Sequence, residues 1–508
     1  MSYERRLVKG LSIVFVMSFL ASVVAYVTRV YLARVMQPEE YGLLYAVYTF
    51  ITFFLFFRDF GSHQALVYYI ARYRIEEKFD EIKTAIFSTF KIQLISSLIL
   101  ILFGLFFAKF LSLHYFKNPD ATLILYVFLA YIFTSSFFRV IKATFLGFQD
   151  MMWFSSCELF KNALTLIFTL ILFHFSSNKP LMGAIAYPFV TLLMVFSLLP
   201  IFFRKYFHWG KFKVINLKEM HKKIMVYGVP VTLTGMGGDL IAYADVLMLT
   251  YFANLHDVGI YSAMLSTAVS ILFISRAVSS VFLPMMSEMW LKNMKKEMVS
   301  MFFNLERYVL IFFLPALILV AIFGKDLINL LFGANYVEGT LAFQIVIIAT
   351  LFYVIASISN TITSATGQPK EVTKIIFFGA IINVLGNLIA IPHYGYYGAA
   401  VMTALSYVII YLLSVRHILN RLEGSVPWKQ HGLLLIAVSI FSVLVFYLHV
   451  LLPFSFPVNF IITFFVSAII YGFFCVIFKL FNFKEFWKNV RLVFKKHDKK
   501  LSTEGENE

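Results

Sequence analysis

The chain has 508 residues, of which 60% are hydrophobic, 18% aromatic and only 14% charged. A soluble protein of this size could not bury so much apolar surface, whereas a lipid bilayer accepts it. The net charge of +16 comes mostly from predicted cytoplasmic loops and from the tail. Attraction to anionic lipid explains these cations better than nucleic-acid binding does.

Apolar segments long enough to cross a bilayer follow one another along most of the chain. A spanning helix needs about 20 such residues, and the segments lack the alternation of a membrane β-barrel. The sequence therefore predicts an all-α polytopic membrane protein with about 14 transmembrane helices. The predicted helices cover residues 11–34, 41–62, 84–108, 120–141, 153–175, 180–203, 224–252, 258–284, 307–332, 340–365, 373–392, 396–418, 431–452 and 458–479.

The distribution of Lys and Arg predicts the orientation. The N-terminal cations and the basic stretch 204–223 lie on one side of the predicted spans, and the opposite loops hold few cations. The positive-inside rule therefore places both termini in the cytoplasm. The polar stretches between spans are too short for a soluble catalytic domain, and Cys157 and Cys475 fall inside spans. We expect no catalytic residues, no enzyme activity, no metal site and no disulfide.

An internal repeat relates the first two helices to the seventh and eighth. Tyr41 and Gly42 match Val258 and Gly259 in similar surroundings, and six helices separate the copies. Two six-helix halves of the same orientation imply a pseudo-twofold axis with a central cavity between them. The predicted divisions are an N-terminal half (1–203), a basic cytoplasmic hinge loop (204–223), a C-terminal half (224–420), helices 13–14 (421–480) and a cytoplasmic tail (481–508).

An ordered set of motifs covers about residues 5 to 420. Its main members are Leu32-Ala33-Arg34, Pro38-Glu39-Glu40-Tyr41-Gly42, Asp59-Phe60-Gly61, residues 245–249, residues 365–370, Asn383 and Gly386-Asn387. The set resembles lipid-linked oligosaccharide flippases and polysaccharide exporters of the multidrug/oligosaccharidyl-lipid/polysaccharide exporter superfamily. The resemblance implies a monomer whose cavity alternates between the membrane faces, with a polyprenyl- or dolichyl-linked sugar as cargo. It also implies energy from an ion gradient of Na⁺ or H⁺ and no other cofactor.

Charged side chains inside the spans are the candidate transport residues, because each costs about 2.5–3.5 kcal/mol at mid-bilayer without a partner. We expect Arg29 to bind the phosphate or a sugar acid of the cargo, and its repeat mate Asp245 to act in gating or ion coupling. The alternative is that both lie at the outer headgroups. The full set of candidates is Arg29, Arg58, Asp59, Lys161, Asp239, Asp245 and Arg276.

The remaining candidates each allow two interpretations. A cation ring at the inward mouth is one interpretation of Arg58, Asp59 and Arg276. The other is that these residues anchor the helices at the membrane interface. Lys161 binds cargo or pairs locally with Glu158. Asp239 and Asp245 are six residues apart and should not share one carboxylate site on a straight helix. Helix seven is interrupted at a hinge, or at a close packing contact, formed by Pro230, Gly235, Gly237 and Gly238.

The predicted function is flipping of lipid-linked oligosaccharide across the plasma membrane for cell-surface polysaccharide or glycan assembly, beside glycosyltransferases or a polymerase. An ion-coupled multidrug or small-molecule antiporter is the alternative, since the superfamily shares one fold. The span cations Arg29, Arg58, Lys91, Lys161 and Arg276 slightly outnumber the span acids, which favours an anionic cargo. A membrane glycosyltransferase fits least, because the loop that holds the paired acids 39–40 is too short for two substrates.

Overall fold

The computed structural model describes residues 3–207 and 211–480, with side chains for these residues except 3–12, 234, 273, 274, 276, 277, 280 and 281. All regular secondary structure in these ranges is helical. The helices are α1 (Tyr3–Val35), α2 (Pro38–Asp59), α3 (Ser62–Ile75), α4 (Phe79–His114), α5 (Ala121–Gly147), α6 (Met151–Phe175), α7 (Lys179–Lys205), α8 (Leu217–Phe252), α9 (Leu255–Val269), α10 (Phe273–Leu291), α11 (Lys295–Ile322), α12 (Gly324–Leu331), α13 (Thr340–Ala365), α14 (Pro369–Leu422), α15 (Trp428–Leu451) and α16 (Phe456–Ile477).

The prediction of a polytopic helical membrane protein is confirmed. Among the described residues, 12 helices are long and apolar enough to cross a membrane, or up to 13 when the bent α8 counts as one span. Helix α14 has 54 residues and would be about 81 Å long if straight, well beyond the hydrocarbon core. Its path breaks at Gly395, with φ 53° and ψ −134°. The two limbs of α14 match the predicted helices 373–392 and 396–418.

Two predicted helices are interrupted near the same end of the bundle, which we call the inner end after the predicted orientation. Helix α2 stops at Phe60 and Gly61, both left-handed, and the chain continues as α3. In the second repeat, α9 and α10 flank a 3₁₀ turn, Ser270–Leu272. Hydropathy did not predict α3, because 62–75 is too polar to resemble a span.

The repeat mates Gly42 and Gly259 touch each other at the outer end. A Cβ on Gly42 would lie 1.8 Å from the Leu255 carbonyl oxygen, and one on Gly259 would lie 1.9 Å from the Pro38 carbonyl oxygen. Leu255 and Pro38 occupy matching places, four residues before each glycine. Such a reciprocal contact is what a twofold relation between α2 and α9 produces, and only glycine permits it.

Helix α8 bends by 54° between Leu217–Leu233 and Gly235–Phe252. Proline removes one helical hydrogen bond and glycine weakens helix propensity, so the bend falls where Pro230 and the glycines predict an interruption. Gly237 also packs closely, since its Cβ would lie 3.1 Å from the Phe377 backbone. Use of this bend as a hinge stays a prediction.

The segment between α7 and α8 is tied to the start of α4. The Lys213 amide donates to Asp80 at 2.8 Å and the Ile215 amide donates to Thr84 at 2.9 Å. Separately, residues 294–326 and 419–480 form a compact unit that contains α11, α15 and α16. Within it, Glu306 is 1% exposed and lies 3.4 Å from His431. The predicted boundaries at 203, 223 and 420 remain predictions.

Candidate functional site

A polar cavity of about 220 Å³ lies between helices of the two predicted halves, towards the inner end. Helices α2, α3 and α5 of the first half and α8 of the second supply its walls. Its lining residues are Thr52, Leu55, Phe56, Asp59, His63, Gln64, Arg139, Val231, Thr232, Gly235, Asp239 and Tyr243. The predicted candidates Asp59 and Asp239 therefore face one space, on opposite walls.

Asp59 is held by several donors. Its carboxylate is hydrogen-bonded to the Nδ1 atom of His63 and accepts from Nε2 of Gln93 at 2.7 Å. The Ser62 hydroxyl lies 3.4 Å away, and Nη1 of Arg139 lies at 4.0 Å. Because the carboxylate is 4% exposed, these donors replace the water that a buried charge would otherwise lose.

Arg58 points away from the cavity lining and is 1% exposed. Its Nη1 donates to the Ile132 carbonyl at 2.7 Å and to the hydroxyls of Ser135 and Ser136 at 2.9 and 3.2 Å. Its Nε and Nη2 are buried and have no hydrogen-bond partner among the described residues. Such burial does not fit interfacial anchoring. Arg276 belongs to α10, but its side chain lies outside those that the structure describes.

Arg29 is half-buried on α1. Its charge acts on four tyrosines, Tyr41, Tyr45, Tyr48 and Tyr187, and it forms no ion pair or hydrogen bond within the described part of the chain. Tyrosine hydroxyls are neutral at physiological pH and therefore do not balance a cation. Arg29 is therefore a cation in the membrane that the described residues leave without a counter-ion.

Lys161 forms the predicted local pair with Glu158, at 2.8 Å, and a second lysine joins it. Lys142 on α5 lies 2.5 Å from the same carboxylate. The amines also lie over aromatic rings, Lys161 over Phe138 at 5.2 Å and Lys142 over Phe154 at 4.9 Å. One acid thus serves two lysines, and the trio keeps one positive charge.

Asp245 is 1% exposed and lies outside the cavity lining. The hydroxyls of Tyr261 and Thr403 donate to it, and Nδ2 of Asn387 donates at 2.6 Å. Asn387 also donates to the Asn383 amide oxygen at 3.3 Å, while its own Oδ1 has no partner among the described residues. Asp239 lines the cavity and Asp245 does not.

Several residues of these clusters were not predicted as candidates. Arg139 lies two residues before the end of the predicted helix 120–141, where a cation is expected at the cytoplasmic interface. Because α5 continues to Gly147, Arg139 sits about two turns inside the helix. A polar residue beside an apolar run is only weak evidence for a site, and this is all that the sequence shows for His63, Gln93 and Lys142.

Comparison with known proteins identifies the family. The family model described as polysaccharide biosynthesis protein matches residues 7–290, more than half of the chain. An uncharacterized membrane protein of Methanocaldococcus jannaschii is 30% identical over 456 residues, which are 87% of this chain and 90% of that protein. A probable low-salt glycan biosynthesis flippase of Haloferax volcanii is 26% identical over 233 residues, which are 44% of this chain and 48% of that protein.

Solved structures share the fold. The lipid II flippase MurJ in an inward closed conformation has a TM-score of 0.70 at 17% identity and covers 91% of this chain and 98% of its own. An inward-facing multidrug resistance MATE family transporter has a TM-score of 0.64 at 14% identity and covers 80% and 94%. These structures show the fold, whereas the family model and the Methanocaldococcus relative place this multi-pass membrane protein in the polysaccharide biosynthesis protein family.

Proposed function

We propose that this chain flips lipid-linked oligosaccharide across the plasma membrane by alternating access, for surface polysaccharide or glycan assembly. The observation that carries the proposal is Arg29. It is a half-buried cation within electrostatic range of four tyrosines and without an ion-pair partner among the described residues. A charge so placed needs a counter-ion, and the phosphate that links a polyprenyl or dolichyl chain to its sugar supplies one.

The tyrosines around Arg29 also suit the sugar side of the cargo. Their rings form a continuous wall, with centroids 4.4 Å apart for Tyr41 and Tyr45 and 5.1 Å apart for Tyr48 and Tyr187. Tyrosine offers an apolar face together with a hydroxyl, which matches the mixed surface of a sugar. A half-buried cation beside such a wall can hold the charged link of the cargo while the lipid chain stays in the bilayer.

The ion that drives the cycle would bind at Asp245. A carboxylate without a cationic partner in the membrane is either protonated or neutralised by a bound cation. Oxygen atoms of Asp245, Asn383, Asn387 and Thr403 converge there, and hard cations prefer oxygen ligands. Since the cluster has one carboxylate, a single Na⁺ or H⁺ balances its charge. The unpartnered Oδ1 of Asn387 is the atom that such an ion would satisfy.

The first experiment reconstitutes the full chain in proteoliposomes with fluorescent lipid-linked oligosaccharide and measures its movement between leaflets. We expect flipping by the wild type, and loss of flipping in Arg29→Gln. The matched control is Lys109→Gln, which removes an exposed cation from α4 and should flip normally. Export of organic cations without flipping of glycolipid would instead establish the antiporter function.

A second experiment imposes a Na⁺ gradient or a pH gradient across the same vesicles. The wild type should flip faster under one of the two, and Asp245→Asn should lose that dependence. Asp120→Asn, at an exposed acid before α5, is the control and should keep it. Flipping that is insensitive to both gradients in the wild type would exclude an ion site at Asp245. The proposal further places both termini in the cytoplasm and treats the transporter as a monomer beside glycosyltransferases or a polymerase.

A further inference from the structure

We propose that Arg139 is an inner phosphate site, where the cargo's phosphate or diphosphate first binds before it reaches Arg29. Arg139 lines the cavity at the inner end, and its side chain is 39% exposed. The inference rests on the proposed function, because it names the residue that receives the charged group of the same cargo.

The first step of the argument is that Arg139 is only weakly engaged. Among the described residues, its one carboxylate neighbour within ion-pair distance is Asp59, at 4.0 Å. That carboxylate already binds His63 and Gln93. Arginine offers five donors in a planar fork that matches phosphate. A cavity-facing guanidinium with one long ion pair therefore keeps donors for a ligand.

The second step is the local charge on the wall of the first half. Arg58 lies next to Asp59 and its charge acts on that of Arg139. Two guanidinium groups thus share one carboxylate, while Nε and Nη2 of Arg58 are buried without a hydrogen-bond partner among the described residues. The wall carries an excess positive charge behind Arg139, which favours an anion in front of it.

The third step is the route from Arg139 to Arg29. Tyr243 on α8 lines the same cavity, and the charges of both Arg139 and Arg29 act on its hydroxyl. Tyr243 therefore lines the cavity with Arg139 and lies within electrostatic range of both cations. A phosphate that leaves Arg139 can pass this hydroxyl and meet the second guanidinium without crossing a purely apolar stretch, in which an unpaired charge is costly.

The charge of Asp239 should affect phosphate binding in the direction opposite to that of Arg139. It faces Arg139 from the opposite wall, and their charges interact although the two form no ion pair among the described residues. A carboxylate in that position repels a phosphate and competes for the guanidinium. Removing Arg139 should therefore weaken phosphate binding, whereas removing the charge of Asp239 should strengthen it.

The experiment measures binding of farnesyl diphosphate to the purified full chain in neutral detergent by isothermal titration calorimetry. We expect Arg139→Gln to raise Kd by about tenfold or more, the range of a lost charge-assisted hydrogen bond. Arg139→Lys should recover part of the loss, and Asp239→Asn should lower Kd. The control Lys91→Gln removes an exposed cation from α4 and should leave Kd unchanged.

Further arms separate the sources of the phosphate. Inorganic pyrophosphate should compete with farnesyl diphosphate, whereas farnesol should not. Competition by phosphatidylglycerol vesicles would overturn the proposal, because the site would then take bilayer lipid. An unchanged Kd in Arg139→Gln, or the same direction of change in Arg139→Gln and Asp239→Asn, would also overturn it.

The flipping assay distinguishes a failure of this inference from a failure of the proposed function. In proteoliposomes, Arg139→Gln should raise the KM for lipid-linked oligosaccharide far more than it lowers the maximal rate. If Arg29→Gln abolishes flipping but Arg139→Gln changes neither KM nor Kd, the inner phosphate site is wrong and the flippase stands. If the wild type moves no glycolipid, the proposed function fails whatever the binding data show.

Discussion

A methyl group at Gly42 should force the outer end of the transporter open. In Gly42→Ala the new Cβ would lie 1.8 Å from the Leu255 carbonyl oxygen, whereas ordinary contacts begin at 3.4 Å. The helices α2 and α9 must therefore separate locally by about 1.6 Å. The obstacle is backbone, so no side-chain rotation can relieve it.

Overpacking of this kind typically costs about 1–3 kcal/mol. The cost falls only on conformations in which α2 and α9 touch, so it shifts the equilibrium towards an outward-open state by roughly 5–150-fold. We expect the contact between α2 and α9 at the outer end to open faster. Net flipping should be slower, because the return to the closed state becomes the rate-limiting step.

The assay uses Ala263→Cys, a fully buried position one turn beyond Gly259 on α9, in a chain whose two native cysteines are replaced. A membrane-impermeant maleimide should label it slowly in the otherwise wild-type background and faster with Gly42→Ala. Gly259→Ala should have the same effect, because its Cβ meets the Pro38 carbonyl at 1.9 Å. Gly472→Ala, with nothing within 4 Å, is the control. Equal labelling in all variants would refute the assignment of this contact as the outer closure.

Two further predictions concern stability, measured as the thermal unfolding temperature in detergent. Burial alone would raise the pKa of the Asp150 carboxyl, but hydrogen bonds from Lys205, Tyr206 and the Trp153 amide outweigh it and lower the pKa. Asp150 caps α6, so Asp150→Ala should lower the free energy of unfolding by about 1 kcal/mol above pH 4. The stability difference between variant and wild type should vanish at lower pH, where the wild-type carboxyl becomes protonated. A stability difference that persists there would contradict the role of the charge. Glu158→Gln leaves two partly buried lysines without an anion and should cost less than breaking a fully buried pair does, about 3–5 kcal/mol. A variant that also lacks the lysine charges should be more stable than Glu158→Gln alone.

Hydropathy was enough to predict the spans, because the bilayer demands about 20 apolar residues wherever a helix crosses it. The same rule could not predict the interruptions of those helices. Phe60 adopts a left-handed conformation that is uncommon for a residue other than glycine, and no local pattern announces it. By contrast, the bend of α8 was predicted, since Pro230 and the nearby glycines act through the backbone itself.

The candidate site was only partly predictable, for a different reason. A charged residue inside a span is visible in the sequence, so Arg29, Asp59 and Asp239 were found. The partners of each charge depend on which helices pack together, and this decided that Asp239 faces the cavity while Asp245 does not. Arg139 was missed because the predicted helix ends at 141, which puts this cation at the membrane edge, whereas α5 continues to Gly147 and helix ends are the least reliable part of such a prediction.

The two predicted halves have matching helices but carry different charged residues, with Arg29 in the first half and Asp245 in the second. Asp245, the proposed ion site, bonds to Tyr261 on α9. Two residues earlier on the same helix, Gly259 meets Gly42 of α2, and the tyrosines that follow on α2 face Arg29. An ion at one end of this chain of contacts can bias cargo binding at the other only if it favours one arrangement of α2 against α9. Coupling between distant sites requires an element with two discrete arrangements, so this coupling predicts a second arrangement in which Gly42 and Gly259 are apart.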